Sequence, residues 1–180
     1  MFCLIHKTYT FIQIHIHIKK KKIMKTQIGI RPEDLVQVAD TLNKLLSDEH
    51  VLYIKTRNAH WNVVGPDFAA QHKFFESQYA QLEEIIDEVA ERIRAIGHYT
   101  VGTMEDFLKL TQLNENSIEK NDSLSFIKDL LSDHESVIMG IRENIDRFAD
   151  DFHDMGSSDF ITSLMETHEK MAWMLRSHLQ

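Results

Sequence analysis

The chain has 180 residues, a single cysteine (Cys3), two prolines, six glycines and a formal net charge of −8. That length suits one domain with a sizeable core. One cysteine excludes a disulfide framework or a thiolate metal cluster, and it fits a reducing cytoplasm. Few helix breakers beside abundant Leu, Ile, Met, Glu and Lys point to an all-α protein.

Residues 1–23 differ from the rest: they hold five Lys and Arg and no acidic residue. FIQIHIHI alternates like a strand but has no partner nearby. The segment lacks the order of a signal peptide, and no run is long enough to span a membrane. Met24 reads as a natural start. The expectation is a disordered extension or mis-assigned start over 1–23 and one helical domain over 24–180. The alternative is a basic arm, Lys19, Lys20, Lys21 and Lys22, that touches nucleic acid. Setting the extension aside takes the charge from −8 to −13. Such a body repels DNA and attracts cations.

Pro32 with Glu33 and Asp34 marks a helix start. Leu35, Val38, Leu42, Leu45 and Leu52 recur at helical spacing, predicting a first helix to about Val64 that Gly65-Pro66 ends. Phe68, Phe75, Tyr79, Leu82, Ile86, Val89 and Ile93 predict a second helix to Gly97. TMEDFLKL (103–110) predicts a short helix with Thr103 as cap and Asp106 in the capping-box position. Ile127, Leu130, Val137, Ile141 and Phe148 predict a third long helix over about 123–152. Phe160, Leu164, Met171 and Leu175 predict a fourth over about 158–179. The sum is a four-helix bundle with a crossover connection and a small helix inside it.

The second helix carries His72, Glu76, Asp87 and Glu91. Each pair lies one turn apart, and Glu76 to Asp87 is close to three whole turns, so all four share one side. Along the axis Glu76 and Asp87 are about 16 Å apart, far beyond two metal bonds of about 2 Å. One ion cannot hold both pairs in a straight helix. Yet His72/Glu91 and Glu76/Asp87 share a midpoint between Gln81 and Leu82. Two copies packed antiparallel about that point would set His72 against the partner's Glu91 and Glu76 against the partner's Asp87. The dimer would gain two identical sites. His60 can join where the Gly65-Pro66 turn folds the first helix back. Two imidazoles and three carboxylates suit non-haem iron better than structural zinc. Taken alone, Asp87 and Glu91 also read as a solvated charged face.

HWNVVG followed by Phe68, His72, Glu76, Asp87 and Glu91, together with ETHEKMAWMLRSHL (166–179), resembles the Dps family of mini-ferritins from about Met24 onward. The resemblance implies a ferritin-like bundle assembled as a hollow dodecamer, with iron oxidised at inter-subunit ferroxidase centres. His60, His72 and Glu76 would come from one subunit, and Asp87 and Glu91 from its neighbour. Position 76 is often aspartate in the family. The implied activity is Fe(II) oxidation, preferentially by hydrogen peroxide, with ferric storage that protects DNA in the cytoplasm. Trp61 becomes a candidate electron donor, or else an interface-packing aromatic. Asp150, Asp154 and Asp159, with Asp151 nearby, match the acidic lining of three-fold pores that admit iron.

Other residues read as structure. His134 and His168 lie on or beside core stripes, as do Met165 and Met171. Glu49 falls on the apolar stripe of the first helix without an evident task. Two other readings stand beside the ferroxidase: a nucleoid-compacting protein working through the basic arm, and a helical assembly protein without redox role. The acidic body disfavours the first.

Overall fold

In the computed structural model, which describes residues 26–115 and 120–180, Pro32 does open the first helix. Helix α1 spans Pro32–Asn62, α2 Phe68–Ala95, the short α3 Met104–Leu110, α4 Ser123–Asp146 and α5 Met155–Ser177. The extension at 1–23, with Lys19 to Lys22, lies outside the described residues. Helix α1 packs along α2 and α4 along α5, while α3 lies against α1 within the crossover from α2 to α4. This is the all-α four-helix bundle with a short extra helix that the spacing predicts.

Each helix end has a chemical cause. Helix α1 stops at Asn62, before the glycine expected to end it. Val63 is buried and extended, and the Val64 N–H donates to the Asn121 carbonyl at 2.9 Å, drawing the chain onto the start of α4. Gly97 (φ +94) closes α2 with a double-bonded cap: its own N–H donates to Arg94 O at 3.0 Å and the His98 N–H to Ile93 O at 3.1 Å. That cap needs a left-handed residue, which glycine supplies without strain. Thr103 Oγ1 accepts from the Asp106 N–H at 3.1 Å and donates to the Asp106 carboxylate at 2.8 Å, fixing α3. Asp122 caps α4 through the Ser125 N–H at 2.9 Å.

The third long helix, expected to reach about 152, departs from α geometry earlier. Arg147–Asp151 form a π-helical turn, and His153 takes a left-handed φ of +54. Asp154 then caps α5 at its true start. The inserted turn keeps Phe148 fully buried while redirecting the chain into α5.

Leu42, Leu52, Phe75, Leu82, Phe126, Ile127, Met171 and Leu175 fill the centre of the bundle. Charged groups also enter it. Lys55, 4% exposed, pairs with Asp129 at 3.0 Å and Asp133 at 2.5 Å, joining α1 to α4. Its Nζ also donates to the Asn114 carbonyl. Asp48 Oδ1 accepts from Thr111 Oγ1 and the Gln112 N–H, both at 2.7 Å, which fastens the crossover to α1. Among the described residues no helix is long and apolar enough to cross a membrane.

Candidate metal centre

The turn between α1 and α2 brings two histidines into contact. His60 stands in the last turn of α1, 8% exposed, and the half-buried His72 in the first turns of α2. Their rings stack with centroids 3.7 Å apart and planes 23° off parallel. His60 Nδ1 lies 2.8 Å from the backbone carbonyl of His72, and His72 Nδ1 lies 2.8 Å from the backbone carbonyl of His60. A carbonyl oxygen can only accept, so each Nδ1 carries a proton. With Nδ1 committed in this way, Nε2 is the atom through which each ring, when neutral, would bind a metal.

The carboxylates are arranged differently. Glu76 follows His72 by one turn on α2 and is exposed; Asp87 and Glu91 are exposed near the other end of the same helix. One chain thus brings His60 and His72 together and leaves Asp87 and Glu91 apart from them. Among the described residues of one chain, no group of three or more His, Cys, Asp and Glu side chains could hold an ion.

Beside the histidines lies a cluster of which the sequence had marked only Trp61. Arg57 reaches over the rings of Tyr79 at 4.8 Å, Trp61 at 5.1 Å and Tyr53 at 5.5 Å. Its Nη1 donates to the Tyr53 hydroxyl at 2.6 Å. Tyr79 meets the His60 ring edge-on at 5.2 Å. Trp61 itself is 57% exposed. The four-residue spacing of Tyr53, Arg57 and Trp61 along α1 was the available signal.

The acidic residues before and within α5 divide into two groups. Asp150, Asp151 and Asp159 are exposed. Asp154 is not presented to solvent, which corrects its expected place on a pore wall. It is 2% exposed, and its Oδ1 accepts from the Ser157 N–H at 2.9 Å and Arg92 Nη2 at 3.1 Å, while Oδ2 accepts from Ser157 Oγ at 2.6 Å. A carboxylate so engaged caps a helix and neutralises a cation.

A separate buried trio joins three helices. Glu49 of α1 places Oε1 2.9 Å from His168 Nε2 of α5, and His168 Nδ1 lies 3.0 Å from His134 Nδ1 of α4. All three are at most 1% exposed. Burial first, and then the neighbouring His168, hold the His134 imidazole well below its ordinary value of 6.5.

Residues 39–180 match the Ferritin family, described as a ferritin-like domain. A low temperature-induced protein of Nostoc is 42% identical over 156 residues, 87% of each chain. A DNA protection during starvation protein of Bacillus anthracis is 34% identical over 143 residues, 79% of this chain and 97% of that one. The solved Dps of Mycobacterium smegmatis superposes with a TM-score of 0.81 at 31% identity, covering 87% of this chain and 93% of the other. The Dps of Vibrio cholerae O1, described as a member of a broad superfamily of ferritin-like diiron-carboxylate proteins, gives 0.81 at 29% identity over 89% and 99%.

Proposed function

The chain belongs to the Dps family of ferritin-like proteins, and we propose that it oxidises Fe(II) at centres shared between two copies and stores the ferric product in a hollow dodecamer. The observation that carries this reading is the reciprocal His60–His72 pair. Packing alone would satisfy these rings in several ways. The pair found here commits both Nδ1 atoms to backbone carbonyls, so that Nε2 is the atom through which each neutral ring would bind a metal.

In this reading His60, His72 and Glu76 of one subunit face Asp87 and Glu91 of the neighbour across a two-fold axis near Gln81 and Leu82. Hard carboxylate oxygens favour Fe(III) over Fe(II), and imidazole suits both. Fe(II) is the substrate, and hydrogen peroxide the preferred oxidant. Two electrons from two Fe(II) ions reduce one peroxide to water, so no hydroxyl radical is released. DNA is protected indirectly, because both reagents of radical formation are consumed. Trp61 stands beside the centre as a reserve electron donor. Asp150, Asp151 and Asp159 concentrate cations at the pores, and the −13 charge of residues 24–180 draws Fe(II) toward the shell. The setting is cytoplasmic.

The test mixes purified protein with Fe(II) and then with peroxide or oxygen, following ferric absorbance. His60→Ala with Asp87→Ala should slow oxidation sharply while the shell still elutes at its assembled size. An unchanged rate discards the site assignment. Anomalous diffraction from an iron-soaked crystal locates the ion, and iron found away from the subunit contact refutes the shared centre.

A further inference from the structure

A cleft of about 380 Å³ lies between α1, α4 and the crossover residues that follow α3, and it shares no residue with the proposed metal centre. Leu42, Leu45, Val137, Ile141, Phe148 and Ile161 give it apolar walls. Gly140 lines it from the interior of α4, where glycine is unfavourable relative to alanine. A methyl group at this position would meet nothing nearer than the Gln112 amide nitrogen, at 4.0 Å. Packing therefore does not demand the glycine, and the volume its missing side chain leaves belongs to the cleft.

The charged groups of the cleft are ordered by depth. Asp48, 5% exposed, is its buried end. Both strong hydrogen bonds to this carboxylate, from Thr111 Oγ1 and the Gln112 N–H, fall on Oδ1. They do not offset its burial, which holds the carboxyl above its ordinary range. Lys55, the buried cation of α1, is taken by Asp129 and Asp133. The rim is exposed and carries Lys44, Glu143 and Arg147. Lys44 and Glu143 make no ion pair among the described residues. Arg147 donates Nη1 to Asn144 Oδ1 at 2.9 Å. Lys44 stands one turn before Asp48 on the same side of α1, so base and rim are about 6 Å apart along the axis.

We propose that this cleft binds a short ω-amino carboxylate, with its ammonium on Asp48 at the base and its carboxylate between Lys44 and Arg147 at the rim. The methylenes between them lie on Leu42, Leu45 and Ile141. Each end of such a ligand meets a group of opposite charge, and each contact is a charge-assisted hydrogen bond. An α-amino acid carries both charges on one carbon and cannot reach from base to rim. A simple amine leaves the rim cations unmatched, and a simple acid brings a second negative charge to Asp48. Glu143 at the rim selects against a diacid. The inference stands apart from the ferroxidase reading, because the two sites have no residue in common.

The experiment titrates the assembled full chain with γ-aminobutyrate at neutral pH, by saturation-transfer NMR on the ligand methylenes and by calorimetry. Glycine, n-butylamine and butyrate are run beside it. Binding of γ-aminobutyrate should saturate, and each of the other three should bind about tenfold more weakly or worse. Asp48→Asn keeps an acceptor oxygen for Thr111 and Gln112 but removes the charge, and it should weaken binding by about tenfold. Lys44→Met, at an exposed position, should weaken it severalfold. Gly140→Leu fills the cleft and should abolish binding. Melting temperatures near that of the wild type verify that the variants fold. The proposal is overturned if γ-aminobutyrate does not saturate, if n-butylamine or glycine binds as tightly, or if Asp48→Asn binds like the wild type.

Discussion

The buried trio of Glu49, His168 and His134 makes a quantitative prediction about acid. Glu49 and His168 are 2.9 Å apart with no exposure, and the two imidazoles meet through Nδ1 atoms at 3.0 Å. One proton fits between two such nitrogens. A further proton on His134 would set N–H against N–H across that contact, in a site closed to solvent. His134 therefore stays neutral when folded, and its pKa lies well below 6.5. The sign follows from proton counting. Below pH 6.5 the unfolded chain binds a proton on this residue that the folded chain refuses, so stability falls as pH falls. The slope is about 1.4 kcal/mol per pH unit, or about 2 kcal/mol between pH 6.5 and 5. The perturbation is His134→Gln, whose amide can still meet His168 but does not titrate. The assay is urea denaturation at fixed protein concentration across that range, since assembly makes stability depend on concentration. The variant should be weaker at neutral pH by about 1–3 kcal/mol and should lose the extra slope. His50 and His98, whose values burial also lowers, contribute equally to both proteins and cancel in the difference. Parallel pH profiles for wild type and variant would refute the reasoning.

Removing the other end of the trio is costlier at every pH. Glu49→Ala removes the side chain facing His168 Nε2 and leaves a cavity at the bundle centre, which should cost about 2–5 kcal/mol in the same denaturation experiment. Asp154→Ala should destabilise by about 1–3 kcal/mol through loss of the α5 cap and of the partner of Arg92. Asp159→Asn should instead slow iron uptake at unchanged melting temperature, so the two substitutions separate cap from pore when uptake is timed at low ionic strength. In gel shifts, a chain beginning at Met24 should not retard DNA; if the full chain retards it and the effect fades with salt, the lysines at 19 to 22 carry the contact.

The helices were legible because their causes are local. Apolar positions at helical spacing, Pro32 at a first turn, Gly97 after a last turn and the Thr103–Asp106 pair each act within a few residues, and each element appears where the spacing put it. The misplaced ends have distant causes. Val63 leaves the helix because Val64 pairs with Asn121, and α4 widens into a π turn because Phe148 must stay inside while Asp154 caps α5. Asp154 illustrates the same limit at the level of function. Asp150, Asp154 and Asp159 look alike as acidic residues near a helix start. Only the arrival of Arg92 from α2 divides them into a buried cap and exposed neighbours.

The histidine pair went the other way. Its sequence spacing admitted both a packed core and a metal ligand, and the arithmetic of His72, Glu76, Asp87 and Glu91 also fitted a solvated face. What the fold adds is the contact of each ring with the other residue's backbone carbonyl, which no spacing encodes. Mutual donation to backbone carbonyls puts a hydrogen on both Nδ1 atoms, in a chain whose own carboxylates on α2 stay exposed. His134 and His168 supply the contrast within the same molecule. They face each other through Nδ1, His168 Nε2 lies 2.9 Å from Glu49 Oε1, and the trio is closed to solvent. The same residue type is thus used inward to join three helices and, at the α1–α2 turn, to fasten two helices through their backbone carbonyls.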